Sequence, residues 1–312
     1  MQTLYPRSEA DLIRIFEVAN ASQLTLRWGH EAACTGTFAA TAAMHEESAA
    51  KSGLRFNPNT HLNKVLALDA AKRLIIVQPG VRFSQLNAMV RPHGLCLPIF
   101  LTNQADPTIE SLVRFNSLAD NFLQNGRAVH YVAAIDAVMA DASSVRFSTF
   151  GDGGDMEVST AKMSRLVPQL FEVSTKYQAQ IAAELGAYPW RKNGYNLDIF
   201  DVSAQTIRLY NPNRSLNLAH LLVGSFGQLA FAKRITLRLA DLQGGLPSAL
   251  LNNALERDSG NEPISERDAR AFGTGPAFSA PLLEAFGRVK QLFDPENRLH
   301  PVGASSVGTL QE

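Results

Sequence analysis

Residues capable of chemistry are scattered through this sequence rather than set at spacings that announce a reaction. The lone histidines His45, His61, His93, His130, His220 and His300 show no His-x-x-x-His or Glu-x-x-His spacing, so no metal site is expected. There is no Gly-x-Ser-x-Gly elbow, Walker loop or Rossmann Gly-x-Gly-x-x-Gly. An activated serine, a phosphate-cradling P-loop and the Rossmann dinucleotide fold are therefore not indicated. Cys34 and Cys96 are too few and too far apart for a disulfide framework and read as reduced thiols. Glu46 and Glu47, beside Lys51, read as a solvated helix face.

The elements around these residues come from a chain of 312 residues, 46% hydrophobic, enough for one large domain or two ordinary ones. The formal net charge is zero, so there is no electrostatic footprint for nucleic acid or an anionic membrane. The first residues, Met-Gln-Thr-Leu-Tyr-Pro, lack a basic head and apolar run, and no stretch is apolar enough to span a membrane. The expectation is a cytoplasmic protein.

Local pattern gives the following order. Ser8 caps a helix over 8–22, with Leu12, Ile15, Phe16 and Ala19 on one face. Leu24–Leu26 is a short strand running into the turn Arg27-Trp28-Gly29-His30. Leu66–Asp69 and Leu74–Val77 are strands, the second ending at Gln78-Pro79-Gly80. Phe83–Arg91 is a helix closed by His93-Gly94. A strand–turn–strand unit covers 129–147, turning at Asp141-Ala142-Ser143. After a loop at 150–155, a long helix covers Lys162–Leu185. Ala230–Leu239 alternates as a strand, 241–275 reads as a polar linker, and Leu282–Phe293 is a helix stopped by Asp294-Pro295. This mixture predicts an α+β fold.

Several of these segments, in this order, carry a resemblance. Arg27-Trp28-Gly29-His30-Glu31 through Thr35-Gly36 is similar to an Arg-Gly-Gly-Gly-Thr-Ser loop. Leu74–Pro98 ends in His93-Gly94-Leu95-Cys96-Leu97-Pro98, similar to a His-Gly-Leu-x-Leu-Pro run. Thr108-Ile109-Glu110-Ser111, Asn116-Ser117 and Asn125-Gly126 resemble Thr-Ile-Gly-Gly, Asn-Asn-Ser and Tyr-Gly. Ile135–Asp141 resembles a hairpin that lies near an adenine. Arg191–Asp198 resembles Arg-x-x-x-Gly-Tyr-Asn-Leu-Asp, Gly224–Leu229 resembles Gly-Ser-Glu-Gly-Thr-Leu, and Phe293-Asp294-Pro295 opens a closing Phe-Asp-Pro motif. Together they resemble the FAD-binding domain of the vanillyl-alcohol oxidase/p-cresol methylhydroxylase (PCMH) type, nearest the D-lactate and D-2-hydroxyglutarate dehydrogenase branch.

The resemblance implies a PCMH-type fold of two α+β subdomains over 1–240, a linker or remnant of a substrate domain over 241–281, and a C-terminal helix and tail over 282–312. It implies FAD as cofactor, held by Arg27, Gly29, His30, Thr35, Gly36, Pro98, Thr108, Ile109, Asn116, Ser117, Gly126, Gly224 and Gly227. Tyr195, Arg191 and Asn193 would stand near the flavin ring as catalytic side chains. The interval before the closing motif is too short for the family's full substrate domain, which implies a protein partner to supply one.

The sequence also departs from the family. Trp28 and His30 replace glycines, Glu31 brings a carboxylate to the phosphate loop, and Glu110 and Ser111 stand where glycines are expected. Backbone approaches a phosphate closely only where side chains are absent. The cavity is therefore expected to be narrower and more acidic than the family's. Three functions are compatible with this pattern. They are an FAD-linked oxidoreductase on a small hydroxylated or carboxylated substrate, a degenerate flavin-fold subunit of a hetero-oligomer, and a cavity reused for non-redox chemistry.

Overall fold

The computed structural model describes residues 3–28, 53–99, 106–117, 127–150, 161–186, 194–200, 216–242 and 278–300. In chain order, strand β1 (Thr3–Leu4) leads to helix α1 (Glu9–Ala21) and to β2 (Thr25–Trp28). Ser8 and Asp11 close a capping box at the start of α1, and Leu12, Phe16 and Ala19 are its buried face, as the helical spacing predicts. Next come β3 (Gly53–Phe56), β4 (Val65–Asp69), β5 (Leu74–Val77), α2 (Phe83–Val90), β6 (Leu95–Cys96) and α3 (Ile109–Arg114). Then follow β7 (Val132–Val138), β8 (Ser144–Phe147), β9 (Thr149–Phe150), α4 (Ala161–Lys176), β10 (Leu216–Asn217), β11 (Phe231–Arg238), β12 (Ala240–Asp241), α5 (Ala280–Phe293) and β13 (Leu299–His300).

Two sheets organise these elements, giving the α+β fold in two subdomains. The first is parallel, in the order β1-β3-β2-β13. The second is antiparallel, in the order β4-β5-β11-β7-β8. Its central strand is thus β11, which follows the two strands beside it by a long stretch of chain. The register of β11 slips between Ala232 and Arg234, leaving Lys233 as the extra residue of a β-bulge. A one-residue slip inverts the faces. Ile235 and Leu237 enter the main core, while Phe231 turns to the opposite side and joins the core of the first sheet.

The structure corrects the pattern reading in several places. Residues 128–131 form a helical turn, not strand, and β7 begins only at Val132. The cause is local: the Nδ1 of His130 accepts the Arg127 amide, which curls the chain. The helix expected to run to Leu185 is interrupted by a turn at Tyr177 and then continues over Gln178–Gln180 and as a π-helix over Ile181–Gly186. Residues 241–242 leave the expected linker, since Asp241 ends a strand, β12, that pairs with β6. The strands β1, β3 and β13 are additions, two of them only two residues long.

The C-terminal helix is built into both halves. Leu282, Phe286, Val289 and Phe293 of α5 belong to the main core, and β13 then pairs with β2. A buried clamp holds this return. The Lys290 ammonium pairs with Asp294 and also donates to the carbonyls of Gln228 (2.8 Å) and Leu299 (3.0 Å). The Asp294 carboxylate accepts the backbone amides of Arg298 (2.9 Å) and Leu299 (2.7 Å). Burial pulls the Lys290 ammonium below the usual lysine range, against the pull of Asp294.

A second polar knot steadies the corner at 116–132. His220 Nε2 lies 3.0 Å from the Val132 carbonyl. Burial lowers the pKa of His220 to about 4, opposed by that carbonyl, and lowers that of His130 to about 3, with help from the charges of His220 and Arg127.

Removing one partner of a buried pair strands the other charge. Asp294→Ala should cost roughly 3–5 kcal/mol in urea unfolding, whereas Arg288→Ala, which breaks only the exposed pair with Glu284, should cost less than about 1 kcal/mol. Both histidines are neutral in the fold, below the 6.5 of an unperturbed imidazole. Between pH 6.5 and about 4 the unfolded chain binds protons that the fold refuses, so stability is full above that window and is lost as pH falls through it. Because both side chains keep some solvent contact, a loss of the order of 1–3 kcal/mol from pH 7 to pH 5 is expected. The double variant His130→Asn/His220→Gln should flatten that dependence in the same urea titrations.

Candidate functional site

Trp28, Glu110 and Gly227, singled out in the sequence, meet at the boundary between the two sheets. Trp28, at the end of β2, is 6% exposed and belongs to the core of the first sheet with Phe16, Leu26 and Phe56. Its indole stacks on Phe231 (centroids 4.2 Å apart, planes at 24°) and touches Phe56 at 5.4 Å. On its other side lies the guanidinium of Arg114, 4.7 Å from the ring centroid and 4.5 Å from that of Phe115. Arg114 in turn pairs with Glu110 one helical turn earlier, Nε to Oε1 at 3.1 Å, with both side chains buried.

The groove is therefore narrow, as expected from the lost glycines. Among the described residues that line it, Arg114 offsets the charge of Glu110 within the same helix. Trp28, Glu110, Arg114, Ser225, Gly227 and Phe231 leave about 20 Å³ between them, room for about one water. The indole Nε1–H finds no acceptor among the described residues. Leaving such a donor unpaired costs of the order of 1–3 kcal/mol.

Helix α3 supplies one wall, and its first amides are already committed. Ile109 N–H donates to the Val81 carbonyl (2.8 Å), Glu110 N–H to that of Pro79 (3.0 Å), and Ser111 N–H to the Thr108 hydroxyl (3.3 Å). Thr108 thus acts as N-cap, and it also accepts from Asn59 Nδ2. The Pro79-Gly80 turn can lie this close only because residue 80 lacks a side chain. A Cβ there would meet the Asn59 carbonyl oxygen at 2.1 Å.

The other predicted residues fall around this wall. Asn116 sits in the left-handed region (φ 46°), its side-chain oxygen accepts Val129 N–H, and its Cβ faces Gly224. Gly224 is itself left-handed (φ 77°), and a Cβ would meet Asn116 at 3.1 Å, so glycine is required on both counts. The Ser117 carbonyl accepts Ala128 N–H, and Gly227 lines the groove directly. Arg27 lies in β2 opposite Arg55 and His300, and Pro98 is buried beside Leu97 and Ile99 of the main core.

Tyr195 stands apart from the groove. Its hydroxyl donates to Gln228 Oε1 at 2.8 Å and its ring abuts Phe286, and burial raises its pKa. Gly29, His30, Thr35, Gly36, Gly126, Arg191 and Asn193 lie outside the described residues. The sequence reading missed Arg114 and Phe231. The first was signalled by its i, i+4 spacing from Glu110, whereas the second has no local signal.

A cavity of about 600 Å³ lies elsewhere, where the β7–β8 turn and the start of α4 meet the end of α5. It contains none of the predicted residues, and its Lys162, Arg298 and Asp294 are paired with Asp141, Glu296 and Lys290. Among the described residues no cluster of three or more His, Cys, Asp or Glu is placed to hold a metal ion. No helix there is long and apolar enough to cross a membrane.

Pockets for even drug-sized ligands run from roughly 300 Å³ upward. As arranged, the described part of the groove does not fit a dinucleotide: the indole fills it and the α3 amides are turned to the chain's own carbonyls.

Comparison with known proteins shows what the chain is similar to. Residues 2–148 match the family model described as "FAD binding domain". The D-2-hydroxyglutarate dehydrogenase of Haemophilus influenzae is 24% identical over 243 residues, covering 76% of this chain and 22% of that protein. The enzyme of the same name from Pantoea ananatis is 23% identical over 243 residues, covering 77% and 22%. The chain thus spans about a fifth of the length of these relatives. A solved alkyldihydroxyacetonephosphate synthase overlays with a TM-score of 0.48 at 11% identity, covering 78% of this chain and 32% of that one. FAD is the cofactor of the matched domain. Residues 2–148 are thus similar to the FAD binding domain family, and the chain's similarity to relatives runs to D-2-hydroxyglutarate dehydrogenases.

Proposed function

We propose that the chain is the flavin domain of an FAD-linked oxidoreductase acting on a small hydroxylated or carboxylated substrate. A second protein supplies the substrate domain, and the assembly works in the cytoplasm. The observation that carries this reading is that three separate stretches share one boundary: the end of β2, helix α3, and the 224–228 turn. These are stretches that the resemblance ties to the cofactor. The matched family and the D-2-hydroxyglutarate dehydrogenases support the redox class and the substrate class.

Arg191, Asn193 and Tyr195 are the proposed catalytic side chains. One observation favours a second reading, a flavin-fold subunit without redox activity. It is the filled groove itself.

Mass analysis of small molecules released by heating tests the reading, together with reconstitution of the purified chain with FAD. FAD should be recovered, and the reconstituted protein mixed with its partner should reduce an artificial acceptor when given 2-hydroxy acids. A chain that takes up no FAD at any concentration overturns it. Tyr195→Phe separates roles at that position. A catalytic share appears as a fall in kcat with the fold intact, whereas loss of the Gln228 hydrogen bond alone lowers stability by about 1 kcal/mol and leaves kcat unchanged.

A further inference from the structure

We propose that the cavity of about 600 Å³ between α4 and the end of α5 is a binding site for a small organic carboxylate with an apolar body. The site is independent of the flavin reading, since no residue lines both this cavity and the groove at Trp28. Its volume falls among pockets that enclose small organic ligands, roughly 300–1,000 Å³. The floor is apolar. Leu166 of α4 and Phe293 of α5 are buried in the main core, and Ala140 of the β7–β8 turn is buried too. Such a floor accepts a hydrocarbon body by the same burial that holds a core together.

The charges around that floor select the head group. Three carboxylates line the cavity and each already has its cation: Asp141 pairs with Lys162, Glu296 with Arg298, and Asp294 with Lys290. Arg165 is the remaining cation of the lining, and it has no ion-pair partner among the described residues. Counting Lys290, the site therefore carries one positive charge in excess. Lys162, Arg165 and Gln169 recur at helical spacing, so one face of α4 brings the guanidinium and a carboxamide to the same rim. A guanidinium offers a carboxylate two parallel N–H donors, and the single excess charge matches it. A phosphate monoester carries about −1.5 to −2 charges at neutral pH, which leaves part of its charge unmatched beside Asp141 and Glu296.

The experiment is isothermal titration calorimetry of the full chain with benzoate, hexanoate and 3-phenylpropanoate, and with 3-phenylpropanamide and phenyl phosphate for comparison. Wild type should bind at least one of the carboxylates. Arg165→Gln should weaken that binding by about tenfold or more, and the neutral amide should bind wild type weaker by a similar factor. Arg165 is exposed and glutamine keeps the helix propensity of arginine, so this variant leaves the fold intact. Arg73→Gln, which breaks an exposed pair with Asp241 outside the cavity, should bind as wild type does. No binding of any carboxylate at millimolar concentration overturns the site. Unchanged binding by Arg165→Gln, equal binding of the amide, or an equal loss in Arg73→Gln overturns it as well. Tighter binding of phenyl phosphate than of every carboxylate overturns the ligand class. FAD uptake enters none of these outcomes, so the flavin reading stands or falls separately.

Discussion

A buried cation held within reach of two aromatic rings governs the architecture at the subdomain boundary. Arg114 is buried, and a buried charge is tolerated only when its partners are close and well placed. It finds a carboxylate one turn back along its own helix and ring faces in Trp28 and Phe115. A desolvated cation over a ring is worth about 2 kcal/mol. The Trp28–Phe231 stack adds roughly 0.5–1.5 kcal/mol beyond the area it buries. Through these contacts the end of the interior strand β2 of one sheet is tied to helix α3 and to the central strand of the other. Phe16 and Phe56 continue the contact into the first subdomain, at 6.1 Å and 5.3 Å from Phe231.

Much of the fold was legible because its signals are local. A serine cap with apolar residues at helical spacing gave α1, two apolar runs split by a polar turn gave β4 and β5, and Asp294-Pro295 gave the end of α5. The errors arose where a contact outside the local pattern decides. Gly53–Phe56 has too few residues to show alternation and is strand because β1 and β2 flank it. Residues 128–131 have strand-like side chains, but a histidine nitrogen among them captures the Arg127 amide and winds the chain into a turn.

The site divides in the same way. That Trp28 and Glu110 crowd a place meant for glycine could be read directly from the sequence. What they would do there could not. Glu110 on its own suggested an acidic cavity, although Arg114 stood four residues further on and the neutralising pair was available to a helical reading. The stacking of Trp28 on Phe231 depends on a one-residue slip in β11, and nothing in the composition of Phe-Ala-Lys-Arg-Ile marks which residue is the extra one. Face inversion by a bulge is a property of the pairing, so it becomes visible only when both strands are in view.

The parallel pairing of β13 with β2 carries a consequence for how the chain acquires its shape. Leu26 and Arg27 lie beside Leu299 and His300, so the first sheet is closed by residues that leave the ribosome long after its other three strands. Until they arrive, β2 is a bare edge, the kind of unsatisfied ladder that invites pairing with another chain. The Asp294–Lys290 clamp is what delivers β13 to that edge, and the late segment is therefore a seal on the early one.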